Sequence, residues 1–308
     1  MSKRFLVIRG GGIGDFLLTL PAIELIRKSF TDSSLEILGC QRILNLVGST
    51  GLANATRSID YGPMAACFNP AADIDGELAD YFAGFDQIIS YLYDPDQVFE
   101  HSLRRLGAVN VLCGDPRLGN ELHAAFQLAK PLEKLGLFLE CSHVAFRFND
   151  FQLKAARQLI KLPPGPWVAL HPGSGGEHKI WGTAGWEQVV SHLLDSKFSV
   201  VLVAGEADQV RADTLKKRFG TRIHSLIDLP LESLAACLSM CRLFLGHDSG
   251  VSHLAAAAGT DCLLLFGPTN PDVWAPSNPG ARVLRAPSGE LSHITPSMVV
   301  ETLEDILR

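Results

Sequence analysis

The segment Phe244-Leu-Gly-His-Asp-Ser-Gly-Val-Ser-His-Leu-Ala-Ala-Ala-Ala-Gly259 constrains this chain more than any other. It is preceded by Arg242 and opens as an apolar strand ending at Leu245. It turns between Gly246 and Gly250, then continues as a helix of small residues to Ala258, with Gly259 suited to end it. A strand turning sharply into a helix is the unit of a parallel α/β sheet, and ligands of such sheets bind beyond the carboxyl ends of the strands. Asp248 and Ser249 are good N-cap residues. The backbone N–H groups of Ser249, Gly250 and Val251 have no partner within the helix. A helix start carries roughly half a positive charge and suits a phosphate. A capped turn that binds nothing is the other reading of the same residues.

A chain of 308 residues can build two cores of ordinary domain size. It is 47% hydrophobic and 19% charged with 28 glycines, which fits an α/β globular protein and argues against disorder. A formal net charge of −6 and a pI near 5.9 give no support to a nucleic-acid partner. Seven scattered cysteines argue against a disulfide framework and for buried thiols in a reducing compartment. Cys237-x-x-x-Cys241 lacks a paired ligand motif, so no zinc or other metal site is expected. The apolar run Phe5-Leu-Val-Ile8 is too short for a signal peptide or a membrane span. The expected location is cytoplasmic, with peripheral contact at the inner face of the membrane left open.

In the amino-terminal half, Phe5 to Ile8 reads as a buried strand. Arg9-Gly-Gly-Gly-Ile-Gly14 is a flexible loop, and a helix runs from Asp15 to Arg27 with a kink or restart expected at Pro21. Leu35 to Leu38 is the next strand. A dinucleotide fingerprint fails here, because Asp15 stands where the third glycine belongs and no acidic residue ends the second strand. A P-loop fails because no Gly-Lys-Ser/Thr follows. The glycines let the backbone approach something closely, and Asp15 is either a helix cap or a functional carboxylate at the loop's end. The alternation continues with a strand at 57–59, an irregular stretch at 60–75, helix 76–82, strand 86–91, helix 97–106, strand 109–113, and helix 121–130 carrying His123. Ala145 to Phe148 is strand-like, a helix spans 150–162, and Pro163-Pro-Gly-Pro166 is a hard break. The expected domains are 1–148 and 149–308, the final helix being a candidate to pack back on the first.

The second half restarts the pattern. Strand Trp167 to Leu170 leads into His171-Pro-Gly-Ser-Gly-Gly-Glu-His-Lys-Ile-Trp181. There Ser174 and neighbouring N–H groups can donate to phosphate oxygens, and Lys179 adds a mobile point charge. The alternative is a mobile surface loop. Strand Ser199 to Ala204 ends at Gly205-Glu206, and an acidic residue at that position can accept from two ribose hydroxyls. Leu229-Pro-Leu231 could offer an apolar wall to a base. The strand Leu263 to Phe266 runs into the rigid loop Gly267 to Pro276, and an amphipathic helix spans Pro296 to Arg308.

Five stretches, in order, resemble glycosyltransferase family 9, the ADP-heptose:lipopolysaccharide heptosyltransferases. They are Arg9-Gly-Gly-Gly-Ile-Gly-Asp15 with Leu20-Pro21; His171-Pro-Gly-Ser174 with Lys179-Ile-Trp181; Gly205-Glu206; Asp248-Ser-Gly-Val-Ser-His-Leu-Ala-Ala-Ala257; and Phe266-Gly-Pro-Thr269. The resemblance implies an α/β fold of GT-B type, with two doubly wound Rossmann-like domains facing across a cleft. The first is on the acceptor side and the second binds the nucleotide sugar. It implies an inverting transfer of a sugar, most simply heptose from ADP-heptose, to a lipopolysaccharide-core or other cell-envelope glycan. No cofactor is implied beyond that donor as substrate. By this match Asp15 is the general base, and Ser174, Ser249 and Gly250 contact the diphosphate. Lys179 and Asp248 lie near the donor sugar and phosphates, Glu206 meets the ribose, and Leu229 walls the adenine. Gly12, Gly14 and His253 are further motif positions. The chain departs from the family pattern at Gly10-Gly-Gly12, where Ser or Thr is usual, at Gly182 in place of proline, and at His247 before the aspartate. Two other functions fit parts of the pattern: a nucleotide-sugar-binding or regulatory module without transfer activity, and, against the failed fingerprint, an NAD-dependent dehydrogenase.

Overall fold

A computed structural model describes residues 2–74, 76–161 and 165–308. Leu162, the expected last residue of a helix, and Pro163-Pro164 of the expected break lie outside the described residues. The chain forms two compact units, Met1–Ser142 and His143–Arg308. Residues 143–148, assigned by sequence to the first domain, group with the second. Ala145 to Phe148 is not a strand, but the Phe146 N–H donates to Ala257 O at 2.7 Å, which ties the segment to the second unit.

The first unit alternates β1 (Arg4–Arg9), α1 (Ile13–Ser29), β2 (Ser34–Gly39), α2 (Gln41–Thr50), β3 (Ala55–Ser58), α3 (Gly76–Ala83), β4 (Gln87–Ser90), α4 (Val98–Arg105), β5 (Val111–Cys113) and α5 (Ala124–Ala129). Among the described residues its sheet is five-stranded and parallel, in the order β3-β2-β1-β4-β5. Chain order reverses between β1 and β4, so the loop after β1 lies at the switch point. The central strand is apolar between its terminal arginines because helices cover both its faces, and Leu6, Val7 and Ile8 are fully buried. Pro21 does not interrupt α1, which continues to Ser29. Burial of residues from Phe16 to Ile26 on both sides of it outweighs the roughly 3 kcal/mol that an interior proline costs. His123 precedes α5 as its N-cap, its Nδ1 accepting from the Ala125 N–H, rather than lying within the helix.

The second unit runs α6 (Asp150–Ile160), β6 (Trp167–Leu170), α7 (Thr183–Asp195), β7 (Ser199–Ala204), α8 (Gln209–Phe219), β8 (Ile223–Ile227), α9 (Leu231–Leu238), β9 (Leu243–His247), α10 (Gly250–Ala257), β10 (Cys262–Phe266), α11 (Pro271–Trp274), β11 (Ala281–Arg285) and α12 (Pro296–Leu307). Its described sheet is six-stranded and parallel, in the order β11-β10-β9-β6-β7-β8. Here the reversal falls between β6 and β9. One face packs Leu170, Leu202, Leu245 and Leu265 against Trp186 and Val190 of α7 and Leu215 of α8. Val299, Leu303 and Ile306 of α12 join the same core, so the final helix packs within its own unit. No helix among the described residues is long and apolar enough to cross a membrane. Cys67, Cys237, Cys241 and Cys262 are buried as expected, whereas Cys113 and Cys141 are at the surface.

Candidate functional site

In the second unit, the loops following β6 and β9 meet at the switch point, where open α/β sheets bind ligands. Ser249 is the N-cap of α10 and accepts from the Ser252 N–H, which leaves Gly250 at the first helical position. Asp248 belongs to the turn, not to the cap. The β6 loop folds onto that turn. Ser174 Oγ donates to Asp248 O at 2.7 Å, and Lys179 Nζ lies 2.7 Å from Asp248 Oδ2. Ser174, Lys179, Asp248, Ser249 and Gly250 are thus one cluster, although the two loops are far apart in sequence.

His247 explains how the loop is held. Its Nδ1–H donates to Gly173 O at 3.1 Å, and its Nε2 accepts from the Trp181 N–H at 2.9 Å. A carbonyl can only accept and an amide N–H can only donate, so these two partners fix a neutral tautomer. Full burial pulls this imidazole down to about 4, in keeping with that assignment. The departure seen in the sequence is therefore a clamp on both ends of the β6 loop.

Two further members of the cluster, His171 and Asp208, were not singled out in the sequence, although His171 opens one of the matched stretches. His171 Nε2 lies 3.0 Å from Asp208 Oδ2, and Ser249 Oγ lies 3.5 Å from His171 Nδ1. Asp208 ends the short helical turn after β7, beyond Glu206. His171 and Asp208 are too far apart in sequence for any spacing rule to pair them. The available hints were the histidine ending a strand and the glycine beside it. Gly173 packs so closely on Asp208 that a Cβ would come within 1.8 Å of its Oδ1.

Glu206 is exposed immediately past β7, and Leu229 is half-buried past β8. His253 is buried inside α10. In sheet order, the loops after β9, β6, β7 and β8 carry Ser249, then Ser174 with Lys179, then Glu206, then Leu229. At a strand spacing of about 4.8 Å the row spans roughly 14 Å.

In the first unit, Asp15 sits in the first turn of α1. Gly12, the N-cap, has no side chain to offer, and its N–H donates to Asp15 Oδ2 at 2.9 Å. Arg9, buried at the end of β1, brings Nη2 to 3.6 Å from Asp15 Oδ1, and its Nη1 donates to Tyr91 O at 3.1 Å. Burial holds the Arg9 guanidinium below its ordinary value, with the charge of Asp15 opposing that shift. The Asp15 side chain is nevertheless 47% exposed, so it caps the helix and still presents an oxygen to solvent. Gly11 has φ +90°, and a Cβ there would lie 2.9 Å from Asp15 Oδ2, so two constraints demand glycine at that position. Gly14 lies half-buried in the same helical turn. Arg9 was read in the sequence only as part of the loop.

With this geometry established, comparison with known proteins is informative. The model of glycosyltransferase family 9 (heptosyltransferase) matches residues 113–297, more than half of the chain. The chain belongs to glycosyltransferase family 9. Lipopolysaccharide heptosyltransferase 2 of Escherichia coli K12 is 24% identical over 206 residues, which cover 60% of this chain and 57% of that relative, little over half its length. A family 9 crystal structure from Veillonella parvula superposes with a TM-score of 0.85 at 19% identity, covering 100% of this chain and 98% of the other. An E. coli heptosyltransferase solved with ADP gives a TM-score of 0.73 at 20% identity, with coverages of 98% and 99%. As in these family 9 structures, the fold class is GT-B, built from two doubly wound Rossmann-like units.

Proposed function

We propose that this family 9 chain is an inverting glycosyltransferase that moves heptose from ADP-heptose onto a lipopolysaccharide-core or related cell-envelope glycan. The observation that carries the reading is the row of loops along the carboxyl edge of the second sheet. Phosphate donors at β6 and β9, a carboxylate at β7 and an apolar side chain at β8 follow the order diphosphate, ribose, base. The α10 amides, Ser174, Ser249 and Lys179 would stabilise the charge that develops on the leaving diphosphate. That role needs no metal or cofactor, and Asp248 would hold Lys179 in position. Asp15 would take the proton from the acceptor hydroxyl as its oxygen attacks the anomeric carbon. The bond to the diphosphate then breaks on the opposite face, and its electron pair leaves with the nucleotide. The partners are the nucleotide sugar and a glycolipid acceptor, met in the cytoplasm at the inner face of the membrane.

A second reading, a nucleotide-sugar-binding module without turnover, is favoured by one observation: Asp15 already holds the Gly12 N–H and faces Arg9. Labelled ADP-heptose incubated with cell-envelope acceptors separates the two. The transferase reading expects label in the glycan, and a fall of about 10²–10⁴-fold in Asp15→Asn with donor binding retained. Equal transfer by Asp15→Asn would remove Asp15 as base, and tight binding without any transfer by the unaltered protein would favour the module.

A further inference from the structure

Ser249 has one hydroxyl hydrogen and more than one group placed to receive it. Ser252 Oγ is 3.1 Å away and gives its own hydrogen to His247 O, so towards Ser249 it can only accept. His171 Nδ1 is 3.5 Å away, a long contact. A diphosphate at the start of α10 would be the third. The protonation of His171 decides among them. Burial alone would raise the Asp208 carboxyl, but the hydrogen bond and charge of His171, with the Gly205 backbone N–H, outweigh it and hold Asp208 below the usual carboxylate range. A carboxylate only accepts, so His171 Nε2 carries a hydrogen. In the neutral imidazole, Nδ1 is then bare and draws the Ser249 hydrogen to itself. In the imidazolium, Nδ1–H donates to Ser249 Oγ and the hydroxyl hydrogen is released.

The cations near this histidine each have a carboxylate partner. Lys179 is matched by Asp248, and Arg211 of α8 by Glu177. His247, on β9, is neutral. Asp208 lies 3.0 Å from His171 Nε2 and forms an ion pair with it only when the imidazole is protonated. A diphosphate arriving at Ser249 would therefore set a second negative charge against the same imidazole.

We infer that His171 is a positioning residue, and that binding of a nucleoside-diphosphate sugar draws a proton from solvent onto it, turning the Ser249 hydroxyl hydrogen towards the diphosphate. The coupling rests on the donor-site reading above, but goes beyond it by making donor affinity proton-linked. The probe is ADP-heptose, whose diphosphate is esterified at both ends and does not itself titrate near neutral pH. Calorimetric titration near pH 7 in two buffers of different ionisation enthalpy counts the protons taken up. Uptake of up to about one proton per site is expected, with affinity falling by up to about tenfold per pH unit on the alkaline side. His171→Gln and Asp208→Asn, checked for native circular dichroism, should bind with no uptake and a flat pH profile. Binding to the unaltered protein without proton uptake, or uptake that persists in His171→Gln, overturns the inference while leaving the donor site standing. Absence of any ADP-heptose binding overturns the donor-site reading and this coupling with it.

Discussion

At Gly173 the absence of a side chain is itself a structural requirement. Its φ is not in the left-handed region, so the demand is one of space. The position of a Cβ would fall 1.8 Å from Asp208 Oδ1 and 2.1 Å from its Cγ, and the displaced group would be the carboxylate that holds His171. Gly175, two residues on, has nothing within 4 Å of the same construction. Gly173→Ala should therefore lose about 1–3 kcal/mol of stability through overpacking and weaken ADP-heptose binding, whereas Gly175→Ala should do neither. Urea midpoints and calorimetric affinities for the pair check this. Equal midpoints would mean that Asp208 can move aside without cost. Only part of this cluster is legible before the strands pair. Ser249 and Lys179 lie in contiguous motifs whose chemistry is local, but His171 and Asp208 become partners only when β6 and β7 pair.

Among elements, legibility follows burial. The central strands β1, β6, β7, β9 and β10 are covered on both faces and read as unbroken apolar runs. The edge strands β8 and β11 contain His224-Ser225 and the mixed run Arg282-Val-Leu-Arg285, because an edge meets water, and neither was anticipated. The helix α2 was missed for another reason: it ends in Gly48-Ser-Thr50, residues that local propensity assigns to turns. For α12 the apolar stripe was legible, while the sheet core that Val299, Leu303 and Ile306 join is defined only by the folded unit. Leu303 is fully buried in the core of the second unit. Leu303→Ala should cost about 2–5 kcal/mol by transfer and cavity formation, while Glu301→Ala on the exposed face should stay within about 0.5 kcal/mol. Chemical denaturation of the two variants measures the difference. A small effect at Leu303 would place α12 outside the cooperative core.

At the scale of the whole molecule, the buried imidazole of His247 makes the second unit sensitive to acid. The buried histidines among the described residues, His171, His247 and His253, all belong to the second unit. So do all four tryptophans, Trp167, Trp181, Trp186 and Trp274. Tryptophan fluorescence therefore reports the unit that contains His247. His247 is lowered from 6.5 to about 4 by burial. Between those values the unfolded chain binds the proton and the folded chain does not, so stability rises with pH across that window. It is fully present above the ordinary histidine value and is lost as pH falls towards about 4, a change of about 3 kcal/mol. Asp208, also held low, acts in the same sense at lower pH: its contribution is present above the unfolded carboxyl value and lost as pH falls through the folded one. Urea unfolding followed by fluorescence should show the second unit weakening by about that 3 kcal/mol between pH 7 and pH 4. In His247→Gln the starting stability is lower, but most of this slope is gone, because glutamine does not titrate. The Trp181 N–H bond to His247 and the edge-on Trp186 ring 5.3 Å from it make the probe local to the clamp. Parallel slopes in the two proteins would mean that His247 is not held neutral, and that the β6 loop is fixed by some other contact.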